Sequence, residues 1–439
     1  MIDAIQARRD LPWKSPRDVA AAVAMRDGAL CLLSDPRIRG SRSFVAADPD
    51  RTIVLDRVEG ALFEALRQPG WSRGVVGLAA YDAGARSATG PREAVWPDLM
   101  LARYPAMLVF DHDSSRLTAV GRGIDRAAAE AACDLAARWL DQAEAPLAGP
   151  PPAEAMVSDM TPDAYRAAVS DVVRRIAAGD LFQANVAQGW SGQLEAGTDP
   201  FDVFVRLTEQ GGAPFGAFWR LGGRAIVSNS PELFVVCERA TQRVETRPIK
   251  GTRPRGSDAI EDAAQISDLL ASAKDRAENL MIVDLMRNDL ARVCVPGSVR
   301  VERLFEIETF ATVHHLVSTV VGTLAPGTGP ADVLEAAFPP GSITGAPKHQ
   351  AMKVIAQLEP PRGPWCGSLF LLDDLGDLTA SVLIRTVSFQ RTNEAWRFRA
   401  PAGAGIVADS DPEAERLETE AKISALRQAL TGRPSTAAG

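Results

Sequence analysis

A lysine lies just before a glycine near the end of a predicted strand, in residues 247–255 (RPIKGTRPR). An amine at such a position can point into a cleft, where desolvation lowers its pKa and makes it nucleophilic. Lys250 is therefore a candidate for covalent catalysis. The alternative is an exposed lysine in a basic turn, which is the commoner environment of this residue type.

Two further segments place carboxylates on predicted helices. Asp275 and Glu278 are three residues apart, so they lie on one side of a helix. Glu415, Glu418 and Lys422 share one stripe of the last predicted helix. Two carboxylates from separate helices can hold Mg²⁺ when a substrate carboxylate and water complete the octahedron. The sequence leaves open whether these helices meet, and solvated faces with ion pairs are the alternative.

An arginine and a histidine stand in apolar strand contexts. Arg385 would need a carboxylate from the protein or from a ligand if it is buried. His315 follows His314, and a core histidine is usually hydrogen-bonded and structural. The glycine-rich stretches 338–348 and 402–409 expose backbone N–H groups that can bind anions. Neither stretch has the pattern of a Walker A loop or of a dinucleotide fingerprint, so a nucleotide site is not expected.

The elements that must position these residues come in clusters rather than in strict alternation, which indicates an α+β fold. The run APLAGPPPAEA at 145–155 cannot continue a helix or a strand ladder, so it is predicted to be a linker. It would separate an N-terminal region, 1–144, from a larger region, 156–430, which is followed by a flexible tail at 431–439. Predicted strands are 52–55, 74–81, 107–110, 225–227, 233–236, around Val299, 317–324, 369–372 and 380–385. Predicted helices are 127–140, the segment from Thr161 to Gly179, about 257–290, 348–358 and about 412–430.

Composition narrows the class of protein. Hydrophobic residues make up 46% and charged residues 24%, with a net charge of -8 and no Lys/Arg-rich run. Neither nucleic acid nor a membrane surface is therefore expected as a partner. The five cysteines are scattered, without a C-x-x-C pair. The N-terminus lacks the apolar core of a signal peptide, and no run of 18 apolar residues occurs. These features and the scattered cysteines favour a soluble cytoplasmic protein.

Taken in order, the motifs from residues 179–183 (GDLFQ) to Lys422 resemble the chorismate-binding family. This family includes anthranilate synthase component I, aminodeoxychorismate synthase component I and the isochorismate and salicylate synthases. Residues 41–49 and 77–82 resemble the N-terminal part of the family, so the match runs nearly end to end. The resemblance implies two stacked antiparallel β-sheets flanked by helices, an anthranilate synthase component I-like fold with the active site in a cleft between subdomains.

Within the family, two positions decide the reaction. Isochorismate and salicylate synthases typically carry a lysine base where this chain has Gln183, and an amide takes no proton near neutral pH. Residues 248–252 (PIKGT) are similar to those of aminodeoxychorismate synthases, whereas anthranilate synthases usually have alanine at the lysine position. The resemblance therefore implies that Lys250 attacks C2 of chorismate and expels the C4 hydroxyl, after which ammonia adds at C4.

The remaining roles are also implied by the resemblance. Glu232 matches the acid/base glutamate that would protonate the departing hydroxyl, and His315 is counted with the catalytic residues in the ring pocket. The ligands of a Mg²⁺ cofactor would be Glu278 and Glu418, with Asp275 and Glu415 behind them. The substrate-binding residues would be Arg385, Gly403, Gly405, Thr344, Lys422 and Trp365. Trp365 and Asn279 stand where anthranilate synthases commonly carry tyrosine and histidine. Phe370 replaces a usual glycine and leaves the local backbone path open.

Three functions were weighed. The first is amination of chorismate at C4, with ammonia from a separate glutamine amidotransferase subunit, because the chain shows no glutaminase motif and is not expected to contain a fused lyase. The second is anthranilate formation from chorismate. The third, a non-catalytic chorismate-binding regulator, is disfavoured because Lys250, Glu232 and both magnesium glutamates are present.

Overall fold

The computed structural model describes residues 5–38, 40–310, 313–393 and 395–433. The strands are β1 (Ile5–Leu11), β2 (Leu30–Leu33), β3 (Arg42–Ala46), β4 (Arg51–Leu55), β5 (Val75–Ala79), β6 (Leu99–Arg103), β7 (Ala106–Asp111), β8 (Arg116–Gly123), β9 (Val157–Ser158), β10 (Gln183–Gln193), β11 (Phe215–Leu221), β12 (Arg224–Ser230), β13 (Leu233–Glu238), β14 (Arg243–Thr246), β15 (Ile249–Pro254), β16 (Arg300–Thr309), β17 (Val313–Thr323), β18 (Gly345–Ala346), β19 (Ser368–Leu372), β20 (Leu378–Val382), β21 (Thr386–Thr392) and β22 (Ala395–Ile406). The helices are α1 (Pro16–Val23), α2 (Glu64–Arg67), α3 (Tyr81–Thr89), α4 (Arg126–Arg138), α5 (Pro162–Ala177), α6 (Pro200–Glu209), α7 (Ala259–Ala271), α8 (Ala273–Ala291), α9 (Pro330–Ala337), α10 (Lys348–Leu358) and α11 (Pro412–Thr431), with short 3₁₀ turns at Trp139–Gln142 and Gly341–Ile343.

The strands form two antiparallel sheets, as the family resemblance implied. The first runs β1-β8-β7-β3-β2-β11-β12-β21-β22-β10-β18, with β9 beside β10. The second runs β15-β17-β14-β13-β20-β19-β5-β6-β4, with β16 beside β17. Strands from both sides of the proline-rich run at 145–155 enter each sheet. The N-terminal part therefore has no sheet of its own, and the division into domains stays a prediction.

The core has layers that bury both faces of each sheet. Leu30 and Trp219 of the first sheet pack with Leu78 and Leu371 of the second, so the two sheets lie face to face. Helices α1, α4, α6 and α11 cover the outer face of the first sheet, and α2, α3, α8 and α9 cover that of the second. In the described part of the chain, no helix combines the length and the apolar character needed to cross a bilayer.

The two helices that carry the candidate metal ligands begin at side-chain caps. The hydroxyl of Ser272 accepts a hydrogen bond from Asp275 N at 3.2 Å and starts α8. The carboxylate of Asp411 accepts from the backbone of Glu413 and Ala414 and starts α11, which ends at Gly432 with a φ of 65°. The prediction of a single helix over about 257–290 is therefore wrong, because Ser272 adopts an extended backbone conformation between α7 and α8.

Three other predictions meet a different outcome. Arg385 was placed on a strand, but β20 ends at Val382 and Arg385 lies in the following connection with a φ of 52°. Phe370 leaves the backbone of β19 regular, because its ring occupies the space above Gly77, its cross-strand partner. In the predicted tail, Thr431 still belongs to α11, and residues 434–439 lie outside the described residues.

Candidate active site

A cavity of about 500 Å³ lies between β10, β15 and β22 on one side and helices α8 and α11 on the other. Twelve of the thirteen residues predicted for the site line it, although they are spread over nearly 200 positions of the chain. These are Glu232, Lys250, Asp275, Glu278, His315, Trp365, Arg385, Gly403, Gly405, Glu415, Glu418 and Lys422. The helices that the sequence could not bring together do meet here.

A β-bulge directs Lys250 into the cavity. The pairing of β15 with β17 shifts by one residue between Ile249 and Thr252, and Gly251 adopts a φ of 83° there. The Lys250 side chain is partly accessible only because it lines the cavity, and its Nζ donates one hydrogen bond, to Ser342 O at 3.2 Å. Burial lowers the pKa of Lys250, although Glu278 and Glu232 oppose this shift. The amine is thus biased toward its nucleophilic form.

Glu232 lies at the turn between β12 and β13, where its backbone is fixed on both sides. Its N–H donates to Ser230 Oγ at 3.3 Å, and its carbonyl accepts from Val382 N at 3.1 Å. Burial raises the pKa of its carboxyl to about 6, against the opposing influence of Ser342 and Lys250. A carboxyl of this kind can hold and release a proton close to neutral pH.

The four acids on α8 and α11 face one another with only partial neutralisation. Burial raises the pKa of Glu278, and Asp275 and Glu415 add to that rise. Glu415 is buried and accepts from Ser410 Oγ at 2.6 Å, while Lys274 Nζ is 3.8 Å away. Asp275 accepts from Arg253 at 3.2 Å. Carboxylates that raise one another's pKa in this way would be stabilised by a bound cation.

Glu418 lies at the mouth of the cavity, with 50% of its side chain exposed. Its Oε1 is 2.6 Å from Lys422 Nζ, which also donates to Gly403 O at 2.9 Å. Burial acts to raise the pKa of Glu418, but Lys422, Lys274 and Lys250 together outweigh it and the pKa is lowered. Glu418 is therefore ionised and within reach of solvent and ligands.

These acids fit magnesium only as part of a ternary site. Among the described residues, no three His, Cys, Asp or Glu side chains converge closely enough to hold a metal ion by themselves. Mg²⁺ is commonly bound by one or two carboxylates and keeps several waters or substrate oxygens. Glu278 and Glu418, on facing helices, provide such a pair, and Glu415 and Asp275 are already engaged by Ser410 and Arg253.

His315 and Arg385 form the opposite wall. Burial and the nearby Arg385 lower the pKa of His315 to about 4, so its imidazole is neutral at pH 7. Its Nδ1 is 2.9 Å from Thr252 Oγ1. The guanidinium of Arg385 makes no hydrogen bond or ion pair with any residue that the structure describes, and it lines the cavity. An unpaired arginine in such a place is suited to a ligand carboxylate. His314, by contrast, contacts Asp262 and Thr309 and is structural.

Thr344, which the resemblance placed in the ring pocket, does not line this cavity. It is fully buried behind the cavity, where its hydroxyl donates to Pro340 O at 2.8 Å and its carbonyl accepts from Asn185 N. Trp365 does line the cavity, and its Nε1 has no hydrogen-bond partner among the described residues. Gln183 is also fully buried; its amide occupies the space into which a Cβ at Gly405 would project, and it is not among the residues that line the cavity.

Several lining residues were missed by the sequence reasoning, above all Ser342 and Asn185. Ser342 belongs to the glycine-rich stretch 338–348, for which the sequence predicts only a possible anion-binding loop. Asn185 could have been found, because it follows Gln183 by two residues and side chains alternate along a strand. The side chains of Gln183 and Asn185 therefore lie on the same face of β10.

Comparisons with known proteins point to one family. A family described as chorismate binding enzyme matches residues 37–428. Aminodeoxychorismate synthase component 1 of Salmonella typhimurium is 38% identical, over 96% of this chain and 93% of that protein. Anthranilate synthase component 1 of Thermus thermophilus is also 38% identical, over 87% of this chain and 82% of that protein. The crystal structure of anthranilate synthase component I from Streptococcus pneumoniae superposes with a TM-score of 0.74 at 28% identity, covering 90% of this chain and 94% of that chain.

Proposed function

This chain belongs to the family of chorismate-binding enzymes, and on that premise we propose that it converts chorismate and ammonia to 4-amino-4-deoxychorismate. The comparisons support this reaction, since the aminodeoxychorismate synthase relative matches 96% of this chain and the anthranilate synthase relative matches 87% at the same identity of 38%. The observation that carries the choice is Lys250, a buried amine with a lowered pKa in the same cavity as Glu232 and the paired glutamates.

The cavity supplies a nucleophile and a proton donor for this reaction. The Lys250 amine forms a bond to C2 of chorismate while the bond from C4 to its hydroxyl oxygen breaks. Glu232 gives its proton to the departing hydroxide, which leaves as water. Ammonia then forms the C4–N bond, the bond between C2 and Lys250 breaks, and Glu232 recovers a proton from the new ammonium group. Lysine and glutamate both return to their starting states.

Charged groups of the cavity would orient the two carboxylates of chorismate. The unpaired guanidinium of Arg385 is suited to the enolpyruvyl carboxylate, beside the backbone of Gly403 and Gly405. Glu278 and Glu418 would hold Mg²⁺, which when bound anchors the ring carboxylate and withdraws electron density from the diene. The tight pair of Lys422 with Glu418 and Gly403 O keeps the α11 side of this arrangement rigid.

We also infer the source of the ammonia. The relatives are named as component 1 of their synthases, which supports a second component. The proposed partner is a separate glutamine amidotransferase subunit. All five cysteines are unpaired and buried, which is consistent with work in the reducing cytoplasm. With glutamine as the only nitrogen source, activity should require the partner; with an ammonium salt it should not.

Product identity tests the proposal. The purified chain is incubated with chorismate, Mg²⁺ and an ammonium salt, and the product is identified by mass spectrometry. The expected product retains the enolpyruvyl group and has an amino group in place of the C4 hydroxyl. Direct formation of fluorescent anthranilate, with release of pyruvate, would instead establish the second candidate, which the anthranilate synthase relatives favour.

A further inference from the structure

A buried amide faces the cavity beside Lys250 without a partner. Asn185 is 7% exposed and lines the cavity, and its Oδ1 has no hydrogen-bond partner among the residues that the structure describes. On β10, Asn185 pairs with Gly405 of β22. A Cβ added at Gly405 would lie 3.5 Å from Lys250 Nζ. Paired residues of neighbouring strands present their side chains on the same face, so Asn185 and Lys250 share one end of the cavity.

The position of this amide is fixed by its backbone and its neighbours. Arg362 Nη2 donates to Asn185 O at 2.7 Å, and Asn185 N donates to Thr344 O at 3.0 Å. A Cβ at Gly403 would lie 2.5 Å from Asn185 Oδ1, so the glycine makes room for the amide. A polar group that is buried, held and unpaired is costly for the fold alone, which points to a ligand as its partner.

We propose that Asn185 Oδ1 accepts a hydrogen bond from the ammonia that attacks C4, within the function proposed above and dependent on it. Two other polar side chains of the cavity without a hydrogen-bond partner among the described residues, Arg385 and Trp365, offer only donors and suit the carboxylates and hydroxyl of the substrate. Glu278, an acceptor on α8 that is likewise unpaired in the described part of the chain, is a carboxylate assigned to the metal, so Asn185 Oδ1 is an uncharged acceptor in the same cavity. Ammonia presents three N–H groups and needs its lone pair free for carbon. A carbonyl oxygen accepts an N–H without removing a proton, whereas a carboxylate there would favour ammonium, which has no free lone pair.

The test measures KM for ammonia and KM for chorismate separately, with an ammonium salt as the nitrogen source. Asn185→Leu should raise KM for ammonia about tenfold, the loss of about one hydrogen bond, and leave KM for chorismate within about twofold. Asn185→Asp keeps an acceptor, so its KM for ammonium should remain close to that of the wild type while kcat falls. The matched control is Gln188→Leu, which removes a buried amide from the other face of β10, bonded to Thr419; its KM for ammonia should not change.

Other outcomes assign the amide differently. If Asn185→Leu and Asn185→Asp both raise KM for chorismate and leave KM for ammonia unchanged, Asn185 binds the substrate through its N–H groups and the inference is overturned. An equal loss of folded protein in the Asn185 and Gln188 variants, with both KM values unchanged, would make the amide structural. If the wild-type chain forms no C4-aminated product at any ammonia concentration, the proposed function itself fails, which is a separate result.

Discussion

Two lysines of this chain are removed from bulk water, in two different surroundings. Lys348, at the start of α10, has its charge matched: its Nζ lies 2.6 Å from Asp289 Oδ2 and donates to Ala337 O at 2.9 Å. Lys250 has one carbonyl partner at 3.2 Å and faces a cavity. Burial lowers the pKa of both amines. The difference lies in the pairing, because only Lys250 retains capacity for a ligand.

The same contrast separates two arginines. Arg362 is 3% exposed, donates to both oxygens of Glu359 and to the carbonyls of Ile343 and Asn185, and stacks on Tyr81. Arg385 has no such partners among the described residues. The packed interior therefore satisfies its charges within the protein, whereas the cavity leaves them available for a substrate.

Lys250→Ala should have the largest effect on activity. Without the nucleophile, C4 amination should fall by at least about a thousandfold, and Lys250→Arg, which keeps the charge, should be equally inactive. Thermal stability should be unchanged or higher, because the variant removes a desolvated charge with a single hydrogen bond. Steady-state kinetics and a melting curve measure both quantities. Near wild-type amination in either variant would remove the covalent step.

Lys348→Ala should show the reverse pattern. Removing the cation leaves Asp289 buried without a counter-charge, so the free energy of unfolding should fall by about 3–5 kcal/mol. Chemical denaturation measures this loss. The kcat/KM of the folded fraction should stay within about twofold of the wild type, since Lys348 does not line the cavity. A double variant, Lys348→Met with Asp289→Leu, should recover much of the stability; if it does not, the pair is not the cause.

Glu232→Gln should affect both catalysis and the pH dependence of stability. An amide cannot donate the proton, so the rate should fall about a hundredfold. In the wild type the carboxyl pKa is raised from 4.5 to about 6, so the folded state binds the proton more tightly than the unfolded state. Its contribution of about 2 kcal/mol is present below about pH 4.5 and is lost as the pH rises through about 6. Thermal unfolding measured across this pH range should show no such loss of stability in the variant. If the variant loses stability with pH as the wild type does, another group is responsible.

The sequence predicted residues of the site better than the paths between them. Lys250 and the α8 and α11 glutamates could be identified from motifs, since their chemistry depends on residue type. The bulge at Gly251 that aims Lys250 depends on the register of β15 against β17, which is a long-range property. The break between α7 and α8 has neither glycine nor proline beside it, and its one local signal is Ser272 with Asp275 three residues later, an N-cap pattern that the single predicted helix ignored.

The positions of Thr344 and Arg385 differ from the sequence-based expectation for the same physical reason. Thr344 lies in the glycine-rich stretch 338–348, but its hydroxyl donates a hydrogen bond to Pro340 O and does not face the cavity. Only the three-dimensional path of the backbone shows which side chains of a turn face a cavity. The apolar run 380–385 looked like one strand, yet it leaves the sheet after Val382, and Arg385 reaches the cavity from a left-handed backbone conformation. Backbone conformations that depart from local sequence preferences in this way are expected at residues that bind a ligand.

Arg385→Gln should give the smallest of these effects and tests the contrast with Arg362. A free guanidinium that binds one carboxylate contributes to substrate binding more than to the chemical step, so KM for chorismate should rise about tenfold, with kcat changed by less than about threefold. The position is already desolvated and unpaired, so the free energy of unfolding should not decrease, whereas Arg362→Gln would leave Glu359 uncompensated and destabilise the fold. Chorismate titrations and denaturation curves of the two variants separate these predictions. A loss of stability at Arg385 as large as that at Arg362, with KM unchanged, would mean that both arginines are structural.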